Sequence, residues 1–425
     1  MSGRIIFHVD ANSAFLSWTA AYKVKVLGEN EDIREVPSVV AGDKESRHSI
    51  ILAKSAPAKK FGIKTGEPLF QALEKCPNLV VVQPDYELYV EASRHFVAML
   101  RQFSPMVEQY SIDEAWVDMT GTERLFGAPL LAAEKMRERI WNELGFTVNV
   151  GISSNKLLAK MAGDFEKPNK VHTLFPEEIE RKLWPLPVRE LFLVGTATEC
   201  KLKRLGIYTI GDLAKADMSL IRKKMGKHGE TIWHFANGRS TEAVISVQPE
   251  NKGYGNSTTT PKDVTNHEEA HRVLLSLCET VAMRMRRDNK CGRCISVHLR
   301  TNEFKHYSHQ SLLHGATNIT GELFEAVCGV FDEIWDGVTP LRQLGVQVTR
   351  LSDEPYQQYD FLSGMSPVQY ERKLRLDEAV DALRDKFGED IIRRAKFADN
   401  PEEHMAGGLS KARRTGVTKP VPDEF

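Results

Sequence analysis

The chain opens on Ile5-Ile6-Phe7-His8-Val9, a short apolar run that stops at Asp10 and predicts a buried strand over 5–10. Runs rich in β-branched residues predict further strands at 37–41, 79–83, 115–119 and 147–152. Between them, apolar positions recur at helical spacing near 13–24, 55–61, 86–103 and 128–144. Ser55-Ala56-Pro57 reads as a helix start, because Ser caps free amides and Pro is tolerated in the first turn, and Gly62 stops that helix. Residues 1–168 thus read as mixed α/β.

The pattern then changes. Residues 169–240 are short helical stretches separated by glycine turns. In the stretch from Leu202 to Leu213, Gly206 ends one helix and Thr209 caps the next. Gly226, Gly229 and Gly238 suggest a second such unit. The polar stretch 241–256, with Pro249, Gly253 and Gly255, reads as a linker. Helices at 267–287 and 320–336 and strands at 294–301 and 344–351 predict an α+β domain over 257–352. A tail from 353 carries one more helix, with Leu376, Val380, Leu383, Phe387 and Ile391 at helical period.

A length of 425 residues predicts two to four domains. Hydrophobic residues at 41% and charged residues at 27% fit a soluble globular protein, and no apolar run reaches the length of a membrane span. The chain before the first strand is too short for a secretion signal, so a cytoplasmic location is expected. Of the six cysteines only Cys291 and Cys294 have metal-like spacing, and no second pair accompanies them, so reduced thiols are expected rather than a zinc site. The net charge of −1 does not point to nucleic acid, but its distribution is uneven. Eight Lys or Arg fall between Lys201 and Lys227 and seven between Arg284 and Lys305. By charge alone these are either solvated helix faces or nucleic-acid surfaces.

The chemistry concentrates at three places. Asp113 and Glu114, in Ser111-Ile112-Asp113-Glu114-Ala115-Trp116-Val117-Asp118, are adjacent carboxylates at a turn between strands. Alone they read as a solvated turn or as a pair sharing a cation. Asp10 ends an apolar strand, as a strand-end cap or as a third carboxylate at a sheet rim. Three such carboxylates can hold two Mg²⁺ ions. Lys156, Lys160 and Lys167, in 151–169, are candidate point charges for phosphate or members of a solvated basic helix.

Taken together and in order, these motifs resemble the Y-family DNA polymerases, the group that includes DNA polymerase IV and the UmuC-like proteins. The resemblance spans about 4–351. It rests on Val9-Asp10 followed by Phe15, Ser-Ile-Asp-Glu at 111–114, Gly-Ile-Ser-x-Asn-Lys at 151–156 and Lys-Pro-Asn at 167–169. Lys-Phe-Gly-Ile at 60–63 and Gly-Asn-Ser-Thr-Thr at 255–259 also fit. It implies a right-hand polymerase, α/β and α+β: palm at 1–22 and 76–168, fingers at 23–75, thumb at 169–240, linker at 241–256, little finger at 257–352 and tail at 353–425. Asp10, Asp113 and Glu114 then correspond to the metal ligands, with the carbonyl of Ala11 as a backbone oxygen. Phe15 corresponds to a steric gate against a ribose 2′-hydroxyl. Lys59 and Lys167 correspond to triphosphate contacts.

The chain departs from the family in the fingers, where Ala56 and Lys59 stand at positions usually held by Tyr and Arg. A phenol is lost and a bidentate guanidinium becomes a point charge, with Lys54 or Arg47 as candidate compensators. The first thumb turn reads Gly195-Thr196-Ala197 instead of Gly-x-Gly. Helix-hairpin-helix turns of this kind hold DNA phosphates through backbone amides, and the resemblance places the 284–305 stretch along the duplex. Gln358-Tyr359-Asp360-Phe361-Leu362 resembles a sliding-clamp peptide, with Gln358, Phe361 and Leu362 as anchors.

The implied reaction is template-directed nucleotidyl transfer to a primer 3′ end, with low fidelity and translesion synthesis. The implied cofactor is Mg²⁺, two per site, or Mn²⁺. The implied partners are primer-template DNA, dNTP and a sliding clamp, with no membrane and a monomeric chain. Two other readings are a non-catalytic DNA-repair scaffold and a different palm enzyme such as a nucleotide cyclase. Retention of all three carboxylates opposes the first. The thumb-like helices and the 255–351 domain oppose the second.

Overall fold

The computed structural model describes residues 3–42, 49–247, 250–353, 367–398 and 404–405. They fall into two compact units that divide after residue 248.

The first unit is built on a five-stranded sheet in the order Val107–Gln109, Glu114–Asp118, Ile6–Ala11, Val148–Ser153, Val171–Thr173. The central strand Ile6–Ala11 is antiparallel to both neighbours, which places Asp10 opposite Glu114 and His8 opposite Gly151. Alternation sorts its side chains. Phe7, Val9 and Ala11 enter a core with Trp18, Tyr89, Phe96 and Met136. Ile6 packs on the other face with Trp116, Ala159 and Val244.

That second face is covered by the helix Lys156–Gly163, and it can lie so close only because residue 151 is glycine. A Cβ on Gly151 would stand 2.0 Å from the Ala159 carbonyl oxygen and 2.3 Å from the Gly163 nitrogen. Asn155 starts the helix by accepting the Leu158 amide at 2.9 Å, and its Nδ2 donates to the Gly238 carbonyl at 3.1 Å.

A small sheet, Ile51–Lys54, Ser38–Ala41, Val80–Val82, has its own core of Val39, Ile51, Ala58, Ile63 and Leu69. The helix Ala56–Lys60 leaves it with Ser55 as cap, accepting the Ala58 amide at 3.1 Å. In the glycine-rich region, Gly206 turns at φ +78° between Thr196–Arg204 and Ile210–Lys215. Thr209 and Asp212 cap each other's amides at 3.0 and 2.8 Å. Gly226, at φ 66°, breaks the helix Met218–Ala236. All eight basic residues of 201–227 are exposed.

The second unit is a four-stranded antiparallel sheet in the order His306–Thr317, Cys291–Thr301, Leu341–Ser352, Gly253–Val264. The helices His267–Arg287 and Thr320–Ile334 share one core with it. One sequence expectation needs correction here. The stretch read as a linker to 256 already contains the start of Gly253–Val264, an edge strand that tolerates glycine and Pro261. In the helix Pro367–Phe387, Leu376, Leu383 and Phe387 are exposed, as is Ile391 beyond it, Val380 is half-buried, and Tyr370, Asp377 and Arg384 are buried. In the basic stretch 284–305, two of the seven cations are engaged by the tail helix. Arg286 pairs with Asp381 at 2.6 Å and Asp377 at 3.3 Å, and Arg287 pairs with Asp385 at 2.6 Å. These aspartates recur every four residues, so one face of the tail helix presents three carboxylates to two arginines at the end of His267–Arg287.

Candidate active site

The rim of the five-stranded sheet opens into a cavity of about 430 Å³. Asp10, Ala11 and Phe15 line it from the first strand and the helix after it, Asp113 from the turn before Glu114–Asp118, and Lys167 from the loop beyond Lys156–Gly163. Lys54, Ala56 and Lys59 line it from the small sheet and its helix.

The carboxylates are held differently. Asp113 sits behind the Ser111 hydroxyl, which donates at 2.6 Å. Burial pushes its carboxyl above the usual range and the negative neighbours Asp10 and Glu114 add to this, against the Ser111 bond. Glu114, the next residue, is not among the residues that line the cavity. Its Oε2 lies 2.9 Å from His8 Nε2 and accepts from Lys160 Nζ at 2.5 Å. Burial alone would raise Glu114, but His8 and Lys160 hold it down at about 2. Asp10 is bonded by Lys167, which also pairs with Asp164 at 2.8 Å. Burial opposes the charge on Lys167, yet Asp10 and then Asp164 raise its pKa above the ordinary lysine range.

This donor set fits a hard divalent cation. Asp10 and Asp113 face one cavity, Glu114 stands across the strand pair from Asp10, and the like charges that disfavour ionised Asp113 are what a cation offsets. Lysines carry that task among the protein's own groups.

Two residues expected as phosphate contacts do other work. Lys156 is buried and pairs with Glu108 at 2.7 Å, and Lys160 is committed to Glu114. Neither lines the cavity. Lys54, weighed only as a compensator, does line it, and burial followed by the Lys59 charge lowers its pKa. A lysine held down by a neighbouring cation suits a place for an anion. Asn149 was missed. Fully buried, it donates to the Gly163 and Glu166 carbonyls at 3.1 and 2.7 Å and so ties down the approach to Lys167. Its signal was a polar residue inside an otherwise apolar strand. Phe15 stacks on Tyr89 beside the cavity. Gln358, Phe361, Leu362 and Arg47 lie outside the described residues.

Comparison with known proteins gives the family and the fold. Residues 9–164 match the impB/mucB/samB family profile, 251–361 the C-terminal domain of that family, and 176–207 the HHH motif of the IMS family. DNA polymerase IV of Clostridium acetobutylicum is 44% identical over 94% of this chain and 100% of its own. DNA polymerase IV 2 of Bacillus subtilis is 36% identical over 93% of this chain and 95% of its own. Among solved structures, a chimeric Y-family DNA polymerase superposes with a TM-score of 0.71 at 22% identity, covering 82% of this chain and 100% of that one. The fold is therefore that of a right-hand polymerase with a helix-hairpin-helix domain. By these matches the chain belongs to the impB/mucB/samB family of Y-family DNA polymerases.

Proposed function

We propose that this chain extends a primer 3′ end by template-directed transfer from dNTPs, at low fidelity and past damaged bases. It is a DNA-directed DNA polymerase by family, and enzymes of this family bind DNA and dNTP and depend on metal ions. The observation that supports the site assignment is the meeting of Asp10, Asp113, Phe15 and three lysines at one cavity.

The carboxylates of Asp10, Asp113 and Glu114 and the carbonyl of Ala11 would hold two Mg²⁺ ions, with Mn²⁺ as a substitute. Bound metal supplies a lowered pKa for the primer hydroxyl and charge neutralisation on the triphosphate. The chain's own residues do the positioning. Lys54, Lys59 and Lys167 receive the triphosphate, which competes with Asp10 for the Lys167 ammonium. The primer hydroxyl attacks the α-phosphate in line and pyrophosphate departs. Phe15 underlies the sugar and clashes with a 2′-hydroxyl. His8 and Lys160 keep Glu114 ionised and oriented.

The domains are assigned as palm, fingers, thumb and little finger, with the amides of the glycine turns near Gly195 and Gly206 on the DNA backbone. Gln358, Phe361 and Leu362 are assigned to a sliding clamp, and the chain to the cytoplasm as a monomer. Among the described residues no helix is long and apolar enough to cross a membrane. Primer extension across an abasic template, with and without Mg²⁺, tests the proposal: metal-dependent bypass is expected, and no incorporation on any template refutes it.

A further inference from the structure

The helix His267–Arg287 begins with two histidines one turn apart, so both rings stand on one face. They meet Asp332, on the last turn of Thr320–Ile334. His267 Nδ1 lies 3.2 Å and His271 Nε2 3.0 Å from the same oxygen, Asp332 Oδ1. The three donor atoms all lie within 4.8 Å of one another.

Three observations make this more than a surface ion pair. First, both rings lie against aromatic neighbours, although His267 and Asp332 are about half exposed. His267 packs on Trp335 at 4.7 Å between centroids, and His271 on Phe331 at 5.7 Å. These contacts restrict the rings before any ligand arrives, which lowers the entropy cost of binding. Second, the spacing suits a metal. Bonds of about 2.0–2.1 Å in a tetrahedral site put neighbouring donors about 3.3 Å apart, close to the two observed distances, and small ring rotations bring the histidines together. Third, Asp332 sits at the negative end of its helix dipole, and Glu268 and Glu269 follow His267 in the opening turn of the other helix.

We infer that His267, His271 and Asp332 form a binding site for a borderline divalent cation of the Zn²⁺ type, with water in the fourth position. Imidazole donors favour Zn²⁺, Ni²⁺ or Co²⁺ over Mg²⁺, so the site is chemically distinct from the all-oxygen set around Asp113. Bound metal clips the start of one helix to the end of the other, over the sheet of the second unit.

The test uses the full chain with Mg²⁺ in excess, so that the carboxylate site is saturated, and titrates Zn²⁺ by calorimetry. Wild type is expected to bind one Zn²⁺ that His271→Gln and Asp332→Asn bind at least about tenfold more weakly, as loss of even an outer partner costs about that much. Zn²⁺ should raise the unfolding temperature of wild type and of Glu268→Gln, which leaves all three ligands, but not of the two ligand variants. An Asp113→Asn chain should keep the Zn²⁺ site. Equal Zn²⁺ binding by wild type and both ligand variants, loss of the site in Asp113→Asn, or no Zn²⁺ binding at all, would overturn the inference.

Discussion

Phe15 and Tyr89 stack with ring centroids 4.4 Å apart and planes 11° from parallel. Tyr89 is fully buried and its hydroxyl meets Thr19 Oγ1 at 3.2 Å. The half-buried Phe15 ring is thus backed by a fixed wall and cannot retreat from a ligand in the cavity. Forcing an extra group against such a ring costs about 1–3 kcal/mol, or about fivefold to 150-fold in rate. Phe15→Ala is expected to lose that much of its dNTP-over-rNTP preference in kcat/KM. Tyr89→Phe keeps the stack and should leave the preference unchanged.

Lys54 and Lys59 line the cavity beside Ala56. Lys54→Ala should raise KM for dNTP about tenfold, the equivalent of one charge-assisted contact, with a smaller effect on kcat. Steady-state kinetics on a defined primer-template checks this. If Lys54→Ala behaves as wild type, Lys54 does not receive phosphate.

Gly151→Ala drives a methyl group into the backbone of the helix that carries Lys160. Backbone cannot yield as a side chain does, so the loss should exceed about 3 kcal/mol. Chemical denaturation of the variant gives the number. A variant as stable as wild type would mean that the helix does not lie this close.

Glu279 is buried against Arg384 at 3.2 Å, Arg394 at 2.9 Å and His404 at 3.0 Å. Burial would raise its carboxyl, but His404 and the two guanidinium groups hold it at about 2, against 4.5 for a free glutamate. A depressed carboxylate stabilises the fold fully above its unfolded value and loses that as pH falls toward the folded one. Between pH 4.5 and about 2 the second unit should therefore lose about 3 kcal/mol that a Glu279→Gln chain does not lose. Acid titration of both chains by circular dichroism measures the difference.

Much of this was legible in sequence, for stated reasons. The strands carrying Asp10 and Glu114 are apolar runs cut off by charge, and their motifs keep a fixed order. Cross-chain pairing was not legible. Lys156 and Lys160 showed charge but not the partners Glu108 and Glu114, which lie 48 and 46 positions away. Gly253 and Gly255 read as linker, whereas in the structure a Cβ on Gly253 would stand 2.9 Å from the Val348 carbonyl oxygen, so glycine permits the pairing. The strand His306–Thr317 is exposed up to Leu312 and carries no alternation to find. The tail helix showed an apolar period, but the aspartates at 377, 381 and 385 decided which face packs.

The central claim is that Asp113, beside Asp10 and Glu114, holds the metal ions of a templated polymerase. Single-nucleotide primer extension by wild type and Asp113→Asn, in Mg²⁺, tests it most directly. The account predicts template-matched incorporation by wild type, its abolition by chelator, and a loss of at least about a thousandfold in Asp113→Asn, with primer-template affinity retained. Undiminished incorporation by Asp113→Asn, or turnover by wild type without a primer, would contradict it.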